Sequence, residues 1–488
     1  MAKNFLAFDL GAESGRAMRA SLNGGVITLS ELCRFPNGPV RDNGSLRWDI
    51  SRLWHEMRTA LARCNGAPLE SVGVDAWGCD YGLLREDGSL IEPPFTYRDT
   101  RTDGVMEQVF AKVSRDRVYS TTGIQFLWFN TLYQLYAACR NTPEAIAASH
   151  RFATIPDILN LWLSGTLKAE YTNATTTQCV DAVKRTWARE LLEELDIPTR
   201  LLPEIVEPGT VLGPLRSEAD RSLAGVPVVT PACHDTGSAF TAVPAGDDTA
   251  FLSSGTWSLL GTELSAPIIT PRAMELDFTN EGGVCGTTRL LKNIGGLWLL
   301  QSCRRSWAAL GRDYDYDELV AAAGNERPFH VLLDPDSPGF RNPDDMVIAI
   351  DGFCRQTGQP SLDGPPSYSR AIMESLAFKY RAVLESLEEV TGRRFDEIRV
   401  VGGGARNRLL NRFTADATGR TVIAGPVEAT ALGNVAMQML ATGVVTSLAE
   451  ARAIIDRSFS VERFEPAETD RWEPHYQRFR EYQELTCA

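Results

Sequence analysis

Two stretches far apart in the chain share one pattern. Phe5-Leu6-Ala7-Phe8 runs into a tight turn containing Gly11 and Gly15, then into Ala17-Met18-Arg19-Ala20-Ser21-Leu22. Ala250-Phe251-Leu252-Ser253 runs into Ser254-Gly255-Thr256, then into Trp257-Ser258-Leu259-Leu260-Gly261. Each reads as strand, small polar turn, strand. Each is followed by alternating helical and strand patterns, with little residue identity between the halves. That order marks a duplicated α/β chain, and 488 residues are enough for two cores rather than one. The turn-rich segment Val243-Pro244-Ala245-Gly246-Asp247-Asp248 is the expected joint. Domains over 1–245 and 246–488 are therefore predicted, with strand ends from both pointing into a cleft between them.

Periodicity fills in the halves. Val26-Ile27-Thr28-Leu29 adds a third antiparallel strand, and Ile50–Cys64 reads as a helix burying Leu53, Met57, Ala60 and Leu61. A strand over Val72–Trp77 follows, then mostly helix from 103 to 195, then an apolar strand over Pro227–Cys233. The second half predicts helices near 296–310, 368–391, 407–417, 429–442 and 447–457, with strands at 398–401 and 421–424. A last helix near 471–485 places Trp472, Tyr476, Phe479 and Tyr482 on one packing face.

Composition removes several classes of function. A net charge of −14 argues against nucleic acid and anionic membranes as partners. It also leaves any phosphate to be held by backbone N–H groups, helix N-termini and a divalent cation. The ten cysteines include no CxxC pair, which gives neither a zinc site nor a redox motif and fits a reducing compartment. Asp9 interrupts the N-terminal apolar run too early for a signal peptide. No apolar run reaches the roughly 18 residues of a membrane span. A cytoplasmic enzyme is expected.

Four segments carry candidate chemistry. Asp9-Leu10-Gly11-Ala12-Glu13-Ser14-Gly15-Arg16 offers an acid at a strand end, close-approach glycines and a cation, a set suited to phosphate with a metal-bound water. Ser253 to Ser258 repeats that logic with hydroxyl donors. Val401-Gly402-Gly403-Gly404-Ala405-Arg406-Asn407 is not a dinucleotide fingerprint, because Asn407 takes the third glycine's place. It reads as a glycine turn against which an adenosine can lie. No Gly-Lys dipeptide occurs, so a Walker loop is excluded. His234-Asp235-Thr236 puts an acid after a buried strand, where α/β folds open their ligand crevice. Asp235 is the candidate base that takes the proton of an attacking hydroxyl. The competing structural reading is a helix N-cap. Two aromatic-polar segments, Asp75–Tyr81 and Leu291–Gln301, have the mixture that binds polyols, with their tryptophans as plain core the alternative.

The chain resembles the FGGY carbohydrate kinases from Asp9 to about Val444. The most specific blocks are Gly123–Leu127 with Phe129–Leu135, Glu170–Gln178, Leu252–Leu259, Leu291–Gln301 and Val422–Ala429. The resemblance implies two ribonuclease H-like domains of the actin/hexokinase superfamily, with ATP and Mg²⁺ between them. The longer blocks point to the branch that phosphorylates the ketose L-rhamnulose at its 1-hydroxyl during L-rhamnose breakdown. Carried over by motif, Ala12, Glu13, Ser14, Gly15, Arg16, Thr256, Gln301 and Gly403 would contact ATP. Gly78, His234, Asp235, Thr236 and Asn293 would contact the sugar. Asp235 would accept the proton, and Asp9 would be the magnesium-side acid. The chain departs from the motif at Gly237, where Ala is usual. A kinase for another ketose, such as L-fuculose or L-xylulose, and a non-catalytic actin-like ATP-binding protein are the alternatives.

Overall fold

Seven of the eight residues of the strand Lys3–Leu10 are buried, as in a strand covered on both faces. In the computed structural model, which describes residues 2–64 and 68–487, this strand lies inside a six-stranded sheet. It pairs antiparallel with Ser14–Asn23 and parallel with Leu69–Ala76. The remaining strands are Val26–Pro36 at one edge, and Pro227–Val229 followed by Val211–Pro214 at the other. The meander and the central strand are as the sequence predicts. The helix over Ile50–Ala62 buries the predicted face, Leu53, Met57, Ala60 and Leu61, and Asp49 caps it by accepting the Arg52 N–H at 2.9 Å.

The strand before His234 is shorter than predicted and stops at Val229. Pro231 has no N–H to donate to a ladder. Pairing resumes as a single parallel bridge between Ala76 and His234, with the Ala76 N–H donated to the Cys233 carbonyl.

The chain forms two compact units that are not continuous in sequence. The first comprises 1–244, 263–290 and 429–459; the second comprises 245–262, 291–428 and 460–488. Segments 263–290 and 429–459 thus pack with the first unit, although they lie within the half predicted as 246–488. Side chains far along the chain hold 429–459 there. On the helix Ala429–Ala441, Asn434 donates to Asp75 Oδ2 at 2.6 Å. Gln438 donates to the Leu6 carbonyl at 3.0 Å and accepts from Ser71 Oγ at 2.7 Å. Gly433 lets this helix meet the backbone of Asp235–Thr241, since a Cβ there would collide with the Ser238 carbonyl.

The second unit repeats the arrangement of a hairpin beside parallel strands. Thr249–Ser254 pairs antiparallel with Trp257–Leu264 and parallel with Glu397–Val401, which pairs parallel with Thr421–Ala424. The helices Trp298–Ala309, Pro365–Thr391 and Arg408–Thr418 match the predicted ones within a few residues. Tyr316–Ala323 and Met346–Gln356 are helices the sequence reading did not single out. Trp472, Tyr476 and Phe479 are buried, and Trp472 lies 4.9 Å from Phe378 and 5.2 Å from Phe413, as a packing face should. Among the described residues no helix is long and apolar enough to cross a membrane.

Candidate functional site

Strand register brings three acids of the first unit to one end of its sheet. Asp9 and Asp75 are direct partners on neighbouring parallel strands, and His234 is bridged to Ala76 one step further on. Asp235 follows, so the cluster forms at the C-terminal ends of parallel strands, where α/β sheets place ligands.

The three carboxyl groups are held differently. Asp9 Oδ2 accepts from Arg16 Nε at 2.9 Å and from Arg16 Nη2 at 2.6 Å, both on one oxygen. Asp75 is wholly buried; Asn434 bonds its Oδ2, while Oδ1 has no partner. Burial pushes the Asp75 carboxyl well above the usual range, and the nearby Asp9 and Asp235 carboxylates push it further. Asp235 keeps 30 % of its side chain exposed. Burial raises its carboxyl and Asp9 adds to this, while His234 and the Thr236 N–H pull it back; the net direction is upward.

Asp235 is not a helix N-cap. His234 occupies the cap position and Asp235 is the first helical residue. Its Oδ1 accepts the neighbouring Thr236 N–H at 2.5 Å and Thr236 Oγ1 at 3.2 Å, and lies 3.5 Å from His234 Nε2.

The backbone beneath Asp235 is fixed from behind by a fully buried acid. Glu170 accepts the N–H groups of Thr172, Asn173 and Cys233 at 2.9–3.0 Å, and Thr172 Oγ1 takes the His234 N–H at 3.2 Å. Asn173 Nδ2 reaches the Trp77 and Cys233 carbonyls, tying both strand ends to the helix Tyr171–Thr176. Gly78 faces the same helix, and a Cβ there would stand 2.8 Å from Thr176 Oγ1.

One expectation changes. Trp77 and Asp80 do not form a polyol-facing surface. Asp80 is sequestered by Trp48 Nε1, Trp77 Nε1, Gln134 Nε2 and the Tyr97 N–H, and the two indoles lie 4.3 Å apart. Gly15 also meets a packing need, because a Cβ there would collide with the Phe35 ring. In the Ala12–Arg16 turn the Gly11 N–H bonds the Ser14 carbonyl at 2.9 Å, and the Arg16 cation is engaged with Asp9.

The second unit contains Thr256, Asn293, Gln301 and Gly403. The Leu297 and Trp298 N–H groups bond the Gly255 and Thr256 carbonyls at 2.9 and 3.0 Å, so the start of a helix anchors the turn. Gly296 permits that approach, since a Cβ would come within 2.8 Å of the Gly255 carbonyl oxygen. Gln301 stands one turn along this helix, with its buried Oε1 unpartnered. Asn293 is half-buried on the strand Thr288–Gly295. Gly402 and Gly404 pack on Ser254, whereas Gly403 is exposed with open space at its Cβ position. Asn407 ends the turn by capping the next helix through the Leu410 N–H at 3.0 Å.

No group of three or more His, Cys, Asp or Glu side chains has metal-ligand spacing among the described residues. A magnesium ion needs less from the protein, since it keeps waters and binds through one or two carboxylates plus substrate phosphates. The Asp9 carboxylate at this end of the sheet fits such an ion. The sequence reading missed Glu281, Arg289 and Asn434. The one local sign of them is a lone Arg289 heading the apolar pair Leu290-Leu291.

Similarity to known proteins agrees with this architecture. The N-terminal domain model of the FGGY family of carbohydrate kinases matches residues 4–241, and the C-terminal domain model matches 250–442. A rhamnulokinase of Bacteroides thetaiotaomicron is 43% identical over 98% of this chain and 99% of its own length. A rhamnulokinase of Halalkalibacterium halodurans is 41% identical over 95% and 99%. Among solved structures, the gluconate kinase of Lactobacillus acidophilus superposes with a TM-score of 0.81 at 16% identity, covering 100% of this chain and 99% of that one. The Plasmodium falciparum glycerol kinase with ADP gives 0.78 at 16% identity, with 100% and 99% coverage. Those two show the fold alone; the family models and the near-full-length relatives show more, and the chain belongs to the FGGY family of carbohydrate kinases.

Proposed function

We propose that the protein transfers the terminal phosphoryl group of ATP to the 1-hydroxyl of L-rhamnulose, giving L-rhamnulose 1-phosphate and ADP in the cytoplasm. The near-full-length relatives named rhamnulokinase support the choice of sugar. One geometric observation carries the chemistry: Asp235 is partly exposed just beyond a strand end, and His234 rather than Asp235 occupies the helix-cap position.

In this reading Gly78, His234, Thr236 and Asn293 hold the ketose, with its 1-hydroxyl at Asp235. Ala12, Glu13, Ser14, Gly15, Arg16, Thr256, Gln301 and Gly403 hold ATP. The orphaned Gln301 Oε1 and the open face of Gly403 are suited to a nucleotide. The hydroxyl oxygen bonds to the terminal phosphorus as the bridging P–O bond to ADP breaks. The hydroxyl proton passes to the Asp235 carboxylate, late in a loose transition state. Magnesium, brought with the nucleotide and held on the Asp9 side, would supply positive charge to the phosphoryl oxygens.

An ADP-release assay over L-rhamnulose, L-fuculose and L-xylulose tests the assignment. The highest kcat/KM is expected with L-rhamnulose. Preference for either of the other ketoses reassigns the substrate, and no ketose-dependent ADP release overturns the reading.

A further inference from the structure

His234 Nδ1 does not face solvent. It stands 3.3 Å from Arg289 Nη2 and 3.2 Å from Glu281 Oε2, and Arg289 Nη2 is 3.2 Å from the same Glu281 oxygen. All three side chains are nearly inaccessible, at 10, 2 and 6 % exposure for His234, Arg289 and Glu281. Arg289 is locked further by donating Nε to the Gly282 carbonyl at 2.8 Å and by lying over the Phe240 ring. Its guanidinium also covers the first turn of the Asp235 helix, where a Cβ at Gly237 would be 3.4 Å away. The other ring nitrogen, Nε2, is the one directed at Asp235 Oδ1.

Only some protonation states fit this arrangement. A guanidinium donates and cannot accept, and a carboxylate accepts and cannot donate. A neutral imidazole with its proton on Nδ1 could donate to Glu281 Oε2, but it would set that donor beside Arg289 Nη2 and leave a bare Nε2 lone pair 3.5 Å from the Asp235 carboxylate. With Nδ1 bare, Arg289 donates to it and the proton sits on Nε2, aimed at Asp235. In the imidazolium, Nδ1–H meets Glu281 and Nε2–H again meets Asp235. Both compatible states carry the proton on Nε2.

We propose that Arg289, held in place by Glu281, is a positioning residue that fixes His234 with a proton on Nε2, so that the imidazole donates toward the base Asp235. The proposal rests on the kinase reading for its consequence, but not for its geometry. With the proton on Nε2, the imidazole attracts Asp235 Oδ1 across 3.5 Å and so keeps the carboxylate aimed, leaving its other oxygen for the sugar hydroxyl. Glu281 neutralises a cation that would otherwise be buried alone.

Nitrogen-15 spectroscopy of the histidine rings in the full chain tests this directly, with the His234 signals identified by their loss in His234→Asn. The wild-type protein is expected to show a protonated-type Nε2 at neutral pH. A bare Nε2 with a protonated Nδ1 overturns the proposal. Arg289→Lys and Glu281→Gln are expected to change the His234 nitrogen shifts. They should also lower kcat with the ketose about 10- to 100-fold, the size of one hydrogen bond to a charged group, with KM for ATP within about twofold. Unchanged His234 signals in a folded Arg289→Lys protein also overturn it. If neither variant folds, the wild-type spectrum decides alone. Absence of ketose kinase activity in the wild type would instead sink the functional reading and leave the ring assignment standing.

Discussion

Asp9 and Asp75 face each other on adjacent parallel strands, and of the two it is Asp9 that is ion-paired directly with Arg16. Two carboxyl groups this close do not both stay ionised without such help. Arg16 pairs with Asp9, while burial and the neighbouring Asp9 push the Asp75 carboxyl beside Asn434 well above its usual range, which favours its neutral form. Asp75→Asn imitates that neutral acid and is expected to keep kcat within about tenfold of wild type, because a paired neutral hydrogen bond contributes only about 1 kcal/mol. Asp9→Asn is expected to lose far more and to raise the magnesium concentration needed for half-maximal rate. Steady-state kinetics over a magnesium series would separate them. An Asp75→Asn protein that folds normally yet is as inactive as Asp9→Asn would show that Asp75 works as an anion.

Asp235→Asn is expected to lower turnover by roughly 10²–10⁴-fold, the usual worth of general-base assistance, with ATP binding retained by calorimetry. The base acts deprotonated, so activity falls as pH drops through its pKa. Burial and Asp9 raise that pKa, which moves the acid limb of kcat/KM upward from the ordinary aspartate value. An acid limb at or below that ordinary value would contradict the assignment.

Behind the site, burial pushes Asp157 up to about 8 and Glu170 to about 7. In the unfolded chain such groups titrate near pH 4. Between that pH and about 8 the unfolded state binds fewer protons than the folded one, so these acids favour folding at low pH and that contribution is lost as pH rises. Asp157→Asn keeps an acceptor for the Glu170 N–H and removes the titration. Its Tm relative to wild type is expected to rise from pH 5 to pH 8. A Tm difference that is flat across this window would refute the sign.

Gly403 and Gly404 should respond differently to alanine. A Cβ at Gly404 collides with Ser254, and overpacking of this kind costs about 1–3 kcal/mol, so Tm should fall. A Cβ at Gly403 meets open space, so Tm should hold while ATP affinity drops. Thermal shift and calorimetry on both variants would check this. Unchanged ATP affinity in Gly403→Ala would remove that residue from the nucleotide site.

Amphipathic pattern alone determined much of this protein. The apolar run from Phe5 to Phe8, the glycine turn, the helix face of Leu53, Met57, Ala60 and Leu61 and the aromatic stripe of the last helix are all local signals. Each states which side of an element turns inward. Asp9 and Asp235 were visible for the same reason, as acids closing apolar runs. Only the tertiary structure decided which elements lie side by side. Parallel register set Asp9 against Asp75 and His234 beside Ala76, and no periodicity within one strand encodes the register of another. Contacts at large sequence separation then supplied Asn434 to Asp75, and Glu281 with Arg289 to His234. They also drew 429–459 into the first unit, because a buried polar group must find a partner wherever in the chain one can be reached.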